Sequence, residues 1–194
     1  MIDSAIDRKS ATAERITICA QRLTDQHGID GYTMDDLAEA AEVSRRTLFN
    51  YFPRKIDAIL GVWPTLDDDD VDEFRSGGPD HDLLQDLRTM ILPLFEVELA
   101  DREQIQIRRR MLLGNPRLLM AVHARYESLS AEIVEHIAVR EGPTFGALRA
   151  QVAVRVLAAL FDSALDEFLL DPRERSIVHH FDEALRTARS LFGV

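Results

Sequence analysis

Four neighbouring side chains carry groups that can contact the edges of DNA bases: Arg45, Arg46, Thr47 and Asn50. An arginine guanidinium can donate two hydrogen bonds to guanine, and an asparagine amide can pair with adenine. A threonine methyl can contact the methyl group of thymine. These residue types on one short segment predict direct contacts with DNA bases.

Groups suited to the DNA backbone lie beside that segment. The hydroxyls of Ser44 and Tyr51 and the ammonium of Lys55 could reach phosphate oxygens. The N-terminus of a helix adds exposed N–H donors for the same oxygens. Because phosphate contacts fix register and base contacts provide specificity, the two sets together predict a partner that is double-stranded DNA.

Two short helices are predicted to position these groups. Apolar residues at helical spacing from Met34 to Ala41 predict the first, and Thr33 with Asp36 has the spacing of a capping box. Ser44 is an N-cap candidate for the second helix, which ends before Pro53. Two short helices joined by a tight turn form a helix-turn-helix, whose second helix enters the major groove. The residues that could close its small core are Met34, Leu37, Ala38, Val43 and Leu48.

The charge of the chain favours DNA binding only in this window. The 194 residues contain 23 Lys and Arg against 34 Asp and Glu, and the formal net charge is -11. Val43 to Lys55 contains four bases and no acid, so this window carries +4 and the other 181 residues carry -15. We expect DNA contact to be confined to one small face, because the acidic remainder repels phosphates. The alternative is an ordinary helical hairpin with a solvated arginine pair.

The rest of the chain also has the apolar spacing of helices, and no segment alternates as a strand does. The acidic stretch from Pro64 to Asp82 is predicted as a solvated connection that could extend the fourth helix. The predicted fold is all-α, with a three-helix helix-turn-helix domain over 1–62 and a helical bundle over 63–194. Helices outside the motif are predicted at Thr12–His27, Lys55–Val62, Leu83–Ala100 with a kink at Pro93, Arg102–Leu113, Arg117–Arg140, Phe145–Leu170 and Glu174–Phe192.

Composition predicts a cytoplasmic protein with no membrane partner. One cysteine excludes an intramolecular disulfide framework, and Met1 to Ser10 lacks the apolar region of a signal peptide. The longest apolar run, Val152 to Phe161, is interrupted by Arg155 and is too short to span a bilayer.

Two predicted C-terminal helices carry more apolar surface than one intramolecular contact needs. Two such helices per chain could form a four-helix homodimer interface about a two-fold axis, which reading a palindromic operator requires. The alternative is that both helices fill the core of the monomer. The predicted interface residues are Val152, Val156, Leu160, Phe161, Ala164, Phe168, Ile177, Phe181, Ala184, Ala188 and Leu191.

The segment from Gly28 to Lys55 closely resembles the DNA-binding signature of TetR-type transcriptional regulators. It reads GIDGYTMDDLAEAAEVSRRTLFNYFPRK, and the resemblance extends over Thr12 to Leu60. The segment departs from the family at Glu42, where the family usually has Gly in the turn. A non-Gly residue at positive φ there would cost roughly 1 kcal/mol.

The resemblance implies an all-helical homodimer, a repressor or activator whose C-terminal domain binds a small molecule and thereby changes operator affinity. We expect no cofactor. The phosphate contacts that it implies are Thr33, Ser44, Tyr51 and Lys55. The base contacts that it implies are Arg45, Arg46, Thr47 and Asn50. We therefore predict a repressor released from a palindromic operator by a small apolar or amphipathic effector.

An effector pocket is predicted from bulky or adaptable side chains on the helices that enclose the pocket of the family. His123 and Tyr126 are i, i+3 neighbours that could anchor polar groups. The alternative for each residue is ordinary core packing. The predicted pocket residues are Met90, Leu94, Phe95, Met111, Met120, His123, Tyr126 and Phe161.

A second resemblance is to an actinobacterial subgroup that includes the mycofactocin-associated regulators. It is carried by Ser44 to Thr47 together with Arg108 to Leu112 and Pro116. It makes a fatty-acyl coenzyme A a candidate effector. The alternative for Arg108 to Arg110 is a solvated helix face, since three consecutive residues cannot all face one site.

Two other function classes compete with DNA binding. His179 and His180 with Asp182 and Glu183 are metal-ligand types, but the chain has no HExxH spacing, nucleophile elbow or Gly-rich phosphate loop. We therefore expect no catalytic residue and no metal site. A DNA-independent helical carrier or adaptor would keep the pocket and would not need Arg45 and Arg46.

Overall fold

The structure, a computed structural model, describes the backbone of residues 3–96, 102–171, 173 and 175–193, with side chains over 9–94, 105–171, 173 and 175–193. Every regular element in these ranges is a helix, so the predicted all-α fold is confirmed. Of these helices, none is both long enough and apolar enough to cross a membrane. The helices are α1 (Asp3–His27), α2 (Met34–Ala40), α3 (Arg45–Tyr51), α4 (Lys55–Leu60), α5 (Asp68–Arg75), α6 (Leu83–Ile91), α7 (Pro93–Glu96), α8 (Arg102–Gly114), α9 (Pro116–Glu141), α10 (Ala147–Leu170) and α11 (Ile177–Phe192).

The chain forms two compact units. The N-terminal unit contains Met1–Trp63 and Glu103–Arg125, and the C-terminal unit contains Pro64–Arg102 and Tyr126–Val194. The N-terminal unit thus includes a segment that lies far beyond the predicted boundary at 62. The apolar periodicity of the sequence did not indicate to which unit this segment belongs. An apolar stripe shows that a helix packs against another element but does not identify that element.

The N-terminal unit is built on an apolar core to which α1, α2, α3 and α4 all contribute. Ile16, Leu37 and Leu48 are completely buried in it, and Ile107, Met111 and Leu118 from α8 and α9 belong to the same cluster. Removing a side chain of this size from water stabilises a fold by roughly 1.5–3 kcal/mol. The short helices of the predicted motif are therefore held by tertiary packing, because isolated helices of this length are unstable.

The acidic stretch after α4 contains a helix. Asp67 caps α5 by accepting a hydrogen bond from the backbone N–H of Asp69 at 2.9 Å. Acidic side chains in a first turn are stabilised by the helix dipole. Val71 and Phe74, three residues apart, are buried. The prediction of a solvated connection is wrong over Asp68–Arg75, because the number of acids hid one short apolar stripe.

The predicted helix from Leu83 is divided near its proline. α6 ends at Ile91 and α7 begins at Pro93, which has no N–H to continue the hydrogen-bonding pattern. The part of that prediction over residues 97–100 lies outside the described residues. Further along the chain, α10 and α11 pack along each other, and the rings of Phe161 and Phe181 lie 6.1 Å apart. These two long helices form much of the C-terminal unit.

An ion pair lies inside the C-terminal unit. Arg140 Nη2 is 2.5 Å from Asp86 Oδ2, and the two side chains are 5% and 0% exposed. The guanidinium also donates to the carbonyl of Phe74 at 3.0 Å, while Asp86 accepts from the backbone N–H of Asp80 at 2.7 Å. The buried charges are therefore both paired and hydrogen-bonded, as burial requires.

A second buried cluster joins the end of α10 to the start of α11. Asp171 Oδ2 lies 2.7 Å from Arg175 Nε and 3.1 Å from His180 Nε2. The hydrogen bonds from the Arg175 side chain and from the backbone N–H of Arg173 hold the pKa of Asp171 well below its usual range. Asp171 is therefore a fixed negative charge at this corner.

Candidate nucleic-acid interface

The turn between α2 and α3 has the geometry of a helix-turn-helix. Glu42 has a φ of 51°, so a non-Gly residue does occupy the left-handed region, as predicted. The N–H of Glu42 donates to the carbonyl of Glu39, and that of Val43 donates to the carbonyl of Ala38, each at 3.0 Å. These hydrogen bonds complete the end of α2 and fix the start of α3.

The predicted capping box at the start of α2 is confirmed. The N–H of Asp36 donates to Thr33 Oγ1 at 3.2 Å, and the N–H of Thr33 donates to Asp36 Oδ2 at 2.7 Å. The hydrogen bonds from the Thr33 backbone and side chain lower the pKa of Asp36. The Thr33 hydroxyl also donates a hydrogen bond to the Asp36 carboxylate. Because a hydroxyl has one donor, Thr33 could donate to a phosphate only if this hydrogen bond were broken.

The second predicted cap is confirmed at the start of α3. Ser44 Oγ accepts a hydrogen bond from the N–H of Thr47 at 3.0 Å, and the two hydroxyl oxygens are 2.7 Å apart. Leu48 is completely buried and fixes the helix on the core. The first turn of α3 is therefore held in place before DNA binds.

The exposed face of α3 carries Arg46 and Asn50, one helical turn apart. In the described part of the chain, neither side chain has a hydrogen-bond or ion-pair partner. Thr47 is half-buried beside its cap, so it has less freedom to reach a base. Arg46 and Asn50 can therefore approach base edges without losing an internal contact.

Arg45 is held more firmly than its neighbour. Its Nη1 donates to Asp35 Oδ2 at 2.9 Å, and its guanidinium carbon lies 5.6 Å from the centroid of the Phe49 ring. The sequence prediction missed Asp35, because acids in the first turn of a helix are commonplace. Spacing along the chain did not indicate that α2 would bring this carboxylate to Arg45.

The remaining two bases of the window also have partners. Lys55 Nζ donates to the carbonyl of Ile29 at 2.8 Å and to that of Tyr32, and lies 4.1 Å from the Tyr32 ring centroid. Arg54 makes two hydrogen bonds with Asp57, at 2.8 and 2.9 Å. Lys55 thus links α4 to the loop before α2 and keeps one N–H for a phosphate. Tyr51, half-buried, has its ring centroid 6.5 Å from that of Phe52.

Two family matches cover most of the chain. Residues 19–59 match the family described as bacterial regulatory proteins, tetR family, and residues 81–192 match the MftR C-terminal domain. A protein of Mycobacterium tuberculosis that carries the name mycofactocin biosynthesis transcriptional regulator MftR is 26% identical over 195 residues. That match covers 96% of this chain and 91% of the mycobacterial protein. The chain belongs to the TetR family.

Family membership identifies a transcriptional regulator rather than an enzyme. TetR-family regulators bind DNA and act as dimers with small-molecule effectors. The resemblance to the mycofactocin-associated regulators is also confirmed, through the C-terminal domain. In the described ranges, no three histidine, cysteine or acidic side chains gather as a metal site.

The predicted effector residues of this TetR-family chain are spread over both units. Met111 is buried in the core of the N-terminal unit, which corrects its assignment to a pocket of the C-terminal bundle. Met120 is 73% exposed, so no cavity encloses its side chain. His123 and Tyr126 are also exposed, and both make contacts within the protein. Helical spacing placed these residues on the correct helices but gave no information on which face is enclosed.

The other predicted pocket residues lie in the C-terminal unit. Met90 and Leu94 are buried and Phe161 is half-buried, whereas the Phe95 side chain lies outside the described residues. A cavity of about 320 Å³ in this unit has a different, polar lining. Prediction from bulky apolar side chains could not have found it. Its lining residues are Leu66, Asp68, Val71, Asp72, Arg75, Glu132 and His136.

The single chain buries some of the predicted dimer-interface residues and leaves others exposed. The buried ones lie in its interior, as the monomer-core alternative proposed for them. The exposed members are Val152, Val156 and Leu191, and Leu160, Phe161 and Ala184 are half-buried. The members corrected to intramolecular core are Ala164, Phe168, Ile177, Phe181 and Ala188.

Proposed function

We propose that this TetR-family chain is a repressor that binds a palindromic operator as a homodimer and releases it when an effector binds. The observation that carries the proposal is the surface of α3. Arg46 and Asn50 project from a helix whose start is capped by Ser44 and whose inner face is anchored by Leu48. A rigid helix whose base-reading side chains have no partner among the described residues is suited to the major groove.

An exposed apolar stripe on α10 supports the homodimer. Leu148, Val152 and Val156 follow one another at intervals of four residues, and all three are exposed in the single chain. An apolar stripe at helical spacing is typical of a subunit interface. A two-fold dimer through this stripe would present two copies of α3 to the two halves of a palindrome.

The core of the N-terminal unit supports effector control. Ile107, Met111 and Leu118 come from the segment after the predicted domain boundary, yet they pack in the core that anchors α3. Arg110 also lies 3.3 Å from Asp25 of α1. A change in this segment on effector binding would therefore shift the population of DNA-binding conformations.

We propose a fatty-acyl coenzyme A as the effector and promoters of mycofactocin biosynthesis genes as the first targets to examine. The C-terminal domain type supports this choice, because the mycobacterial relative is named for that pathway. We propose repression rather than activation, because the effector and the operator would favour different conformations of one dimer. Effector binding would then release the operator.

DNA binding is tested with duplexes selected from a random-sequence pool by the wild-type protein. We expect an affinity that falls steeply with salt, and a loss of roughly 5- to 100-fold for Arg46→Ala with relaxed specificity at one base pair. Arg186→Ala is the matched control, because Arg186 and Arg46 are both exposed arginines and Arg186 lies in the C-terminal unit instead of on α3. A wild-type protein that selects no sequence, but binds an acyl coenzyme A, would instead be a carrier.

Effector control is tested by titrating the operator complex with a fatty-acyl coenzyme A. The repressor proposal expects operator affinity to fall at saturating ligand, with free coenzyme A as the matched control. Tighter binding would identify a co-repressor or activator. An unchanged affinity would exclude this ligand as the effector.

A further inference from the structure

Arg45 of α3 is held from two directions. Its Nη1 donates to Asp35 Oδ2 of α2 at 2.9 Å, and its guanidinium carbon lies 5.6 Å from the centroid of the Phe49 ring. The side chains of Arg45 and Asp35 are nevertheless 69% and 60% exposed. The pair therefore lies at the protein surface, where the guanidinium remains open to a ligand.

The contact with Asp35 leaves the base-reading chemistry of Arg45 intact. A guanidinium has five N–H donors in a fixed fork, and the hydrogen bond to Asp35 uses one of them on Nη1. Among the described residues, the Nε–Nη2 edge has no hydrogen-bond partner, and two parallel N–H groups are what guanine accepts through O6 and N7. A planar guanidinium that is hydrogen-bonded at one edge and lies over an aromatic ring can adopt few other orientations.

We propose that Asp35 is the positioning residue that sets the base specificity of Arg45. This inference rests on the proposed function. Asp35 holds the guanidinium in one orientation, so that Arg45 enters the major groove with its Nε–Nη2 edge towards the bases. Arg46, which lacks such a partner in the described structure, adapts to the DNA instead.

Asp35 has a second effect that opposes the first. Its carboxylate lies beside the guanidinium on the DNA-facing motif, and a negative charge there repels phosphates. Removal of Asp35 should therefore raise affinity for DNA of any sequence while it lowers the preference for the operator. This combination identifies a positioning residue. Loss of a residue that only stabilises the fold would weaken both the affinity for DNA of any sequence and the preference for the operator.

The test measures the ratio of dissociation constants for the selected operator and for operators changed at single base pairs. Arg45→Ala first identifies the base pair whose discrimination depends on Arg45. At that base pair we expect Asp35→Ala to lower the ratio about fivefold, since the bidentate contact of Arg45 with the base would lose its fixed orientation. Other base pairs should keep their ratios within about twofold.

Two controls isolate the contact. Glu39→Ala removes the same charge from the same helix, and Glu39 has no side-chain partner in the described structure. It should raise affinity for all sequences equally and leave every ratio unchanged. In the Arg45→Ala background, Asp35→Ala should have no effect on the ratio, which is the coupling expected of two contacting residues.

The outcomes separate the inference from the function on which it rests. A wild-type protein that selects no DNA sequence contradicts the proposed function. Specific binding by the wild type with an unchanged ratio in Asp35→Ala overturns the inference alone. The inference is also overturned if Arg45→Ala changes discrimination at no base pair, or if Glu39→Ala lowers the same ratio as Asp35→Ala.

Discussion

The two units of the chain place their charges differently. Among the described residues of the N-terminal unit, the buried polar side chains are uncharged, and several ion pairs, such as Arg45 with Asp35, are exposed. In the C-terminal unit, acidic and imidazole side chains are buried, and each of them contacts an arginine or a carboxylate. The residues concerned are Asp86, His136, Asp171 and His180.

This difference determines whether the charged groups of each unit can contact a ligand. An exposed pair is worth little to stability, and its charged groups remain open to a further ligand. The charged groups of a buried pair are not, because separating the pair leaves an unpaired charge inside the protein. The N-terminal unit thus keeps its charges available to a ligand, whereas the C-terminal unit uses them to fix its interior. Substitutions in each unit can test this distinction.

The largest effect is expected for Asp86→Ala in the C-terminal unit. It removes the fully buried carboxylate that faces Arg140, whose side chain is 5% exposed, and leaves Glu141, whose Oε1 lies 3.0 Å from Arg140 Nε. We expect the free energy of unfolding to fall by about 3–4 kcal/mol, because the partly exposed Glu141 compensates only part of the buried guanidinium charge. Urea denaturation followed by circular dichroism, at one fixed protein concentration, measures this change.

The matched control for Asp86→Ala is Asp30→Ala in the N-terminal unit. Asp30 pairs with Arg117, and both side chains are exposed. Its removal should change the free energy of unfolding by less than about 1 kcal/mol. Similar losses for the two variants would mean that the units do not differ as described.

The next largest effect is expected for Leu48→Ala, which acts on apolar packing. Leu48 is completely buried beneath the exposed face of α3. We expect a loss of about 3 kcal/mol, as for other buried leucines, together with loss of operator binding. Leu113→Ala, at a leucine that is 74% exposed, is the control and should stay within about 0.5 kcal/mol of the wild type. A smaller loss for Leu48→Ala than for Leu113→Ala would contradict the assignment of Leu48 to the core.

The sequence predicted the local structure of the motif well because its signals are local. The caps at Thr33 and Ser44 and the positive φ at Glu42 each depend on residues within one turn of the chain. The elements that it misplaced depend on distant partners. Only the tertiary structure places Met111 in the N-terminal core and pairs Arg140 with Asp86.

The candidate site divides in the same way. Residue types and spacing identified Arg45, Arg46 and Asn50 as groups that could contact bases, and these contacts stay predictions. Asp35 could not be predicted, because its contact with Arg45 depends on how α2 packs against α3. The polar cavity beside His136 was missed for a related reason, since its lining comes from two helices distant in sequence.

A smaller effect, and a gain, is expected for Glu42→Gly in the turn. Glu42 has a φ of 51°, which Gly adopts without a steric penalty. We expect stability to rise by roughly 0.5–1 kcal/mol, because the strain removed exceeds the added entropy of the unfolded chain. Glu39→Gly, in the last turn of α2, is the control and should destabilise by up to roughly 1 kcal/mol. If both variants lose stability equally, Glu42 is not strained.

The smallest effect is expected on the pH dependence of the C-terminal unit. Burial, and then the neighbouring Arg75, lower the pKa of His136, against the opposing charges of Glu132 and Glu135. The unfolded chain therefore binds a proton more readily than the folded one, so stability is complete above pH 6.5 and falls as the pH drops through the lowered value. His136→Gln keeps an acceptor for Arg75, whose Nη2 lies 3.0 Å from His136 Nδ1, and does not titrate. The unfolding free energy of this variant should fall less between pH 7.5 and 5.5 than that of the wild type, while an equal fall in both would assign the acid sensitivity to other groups.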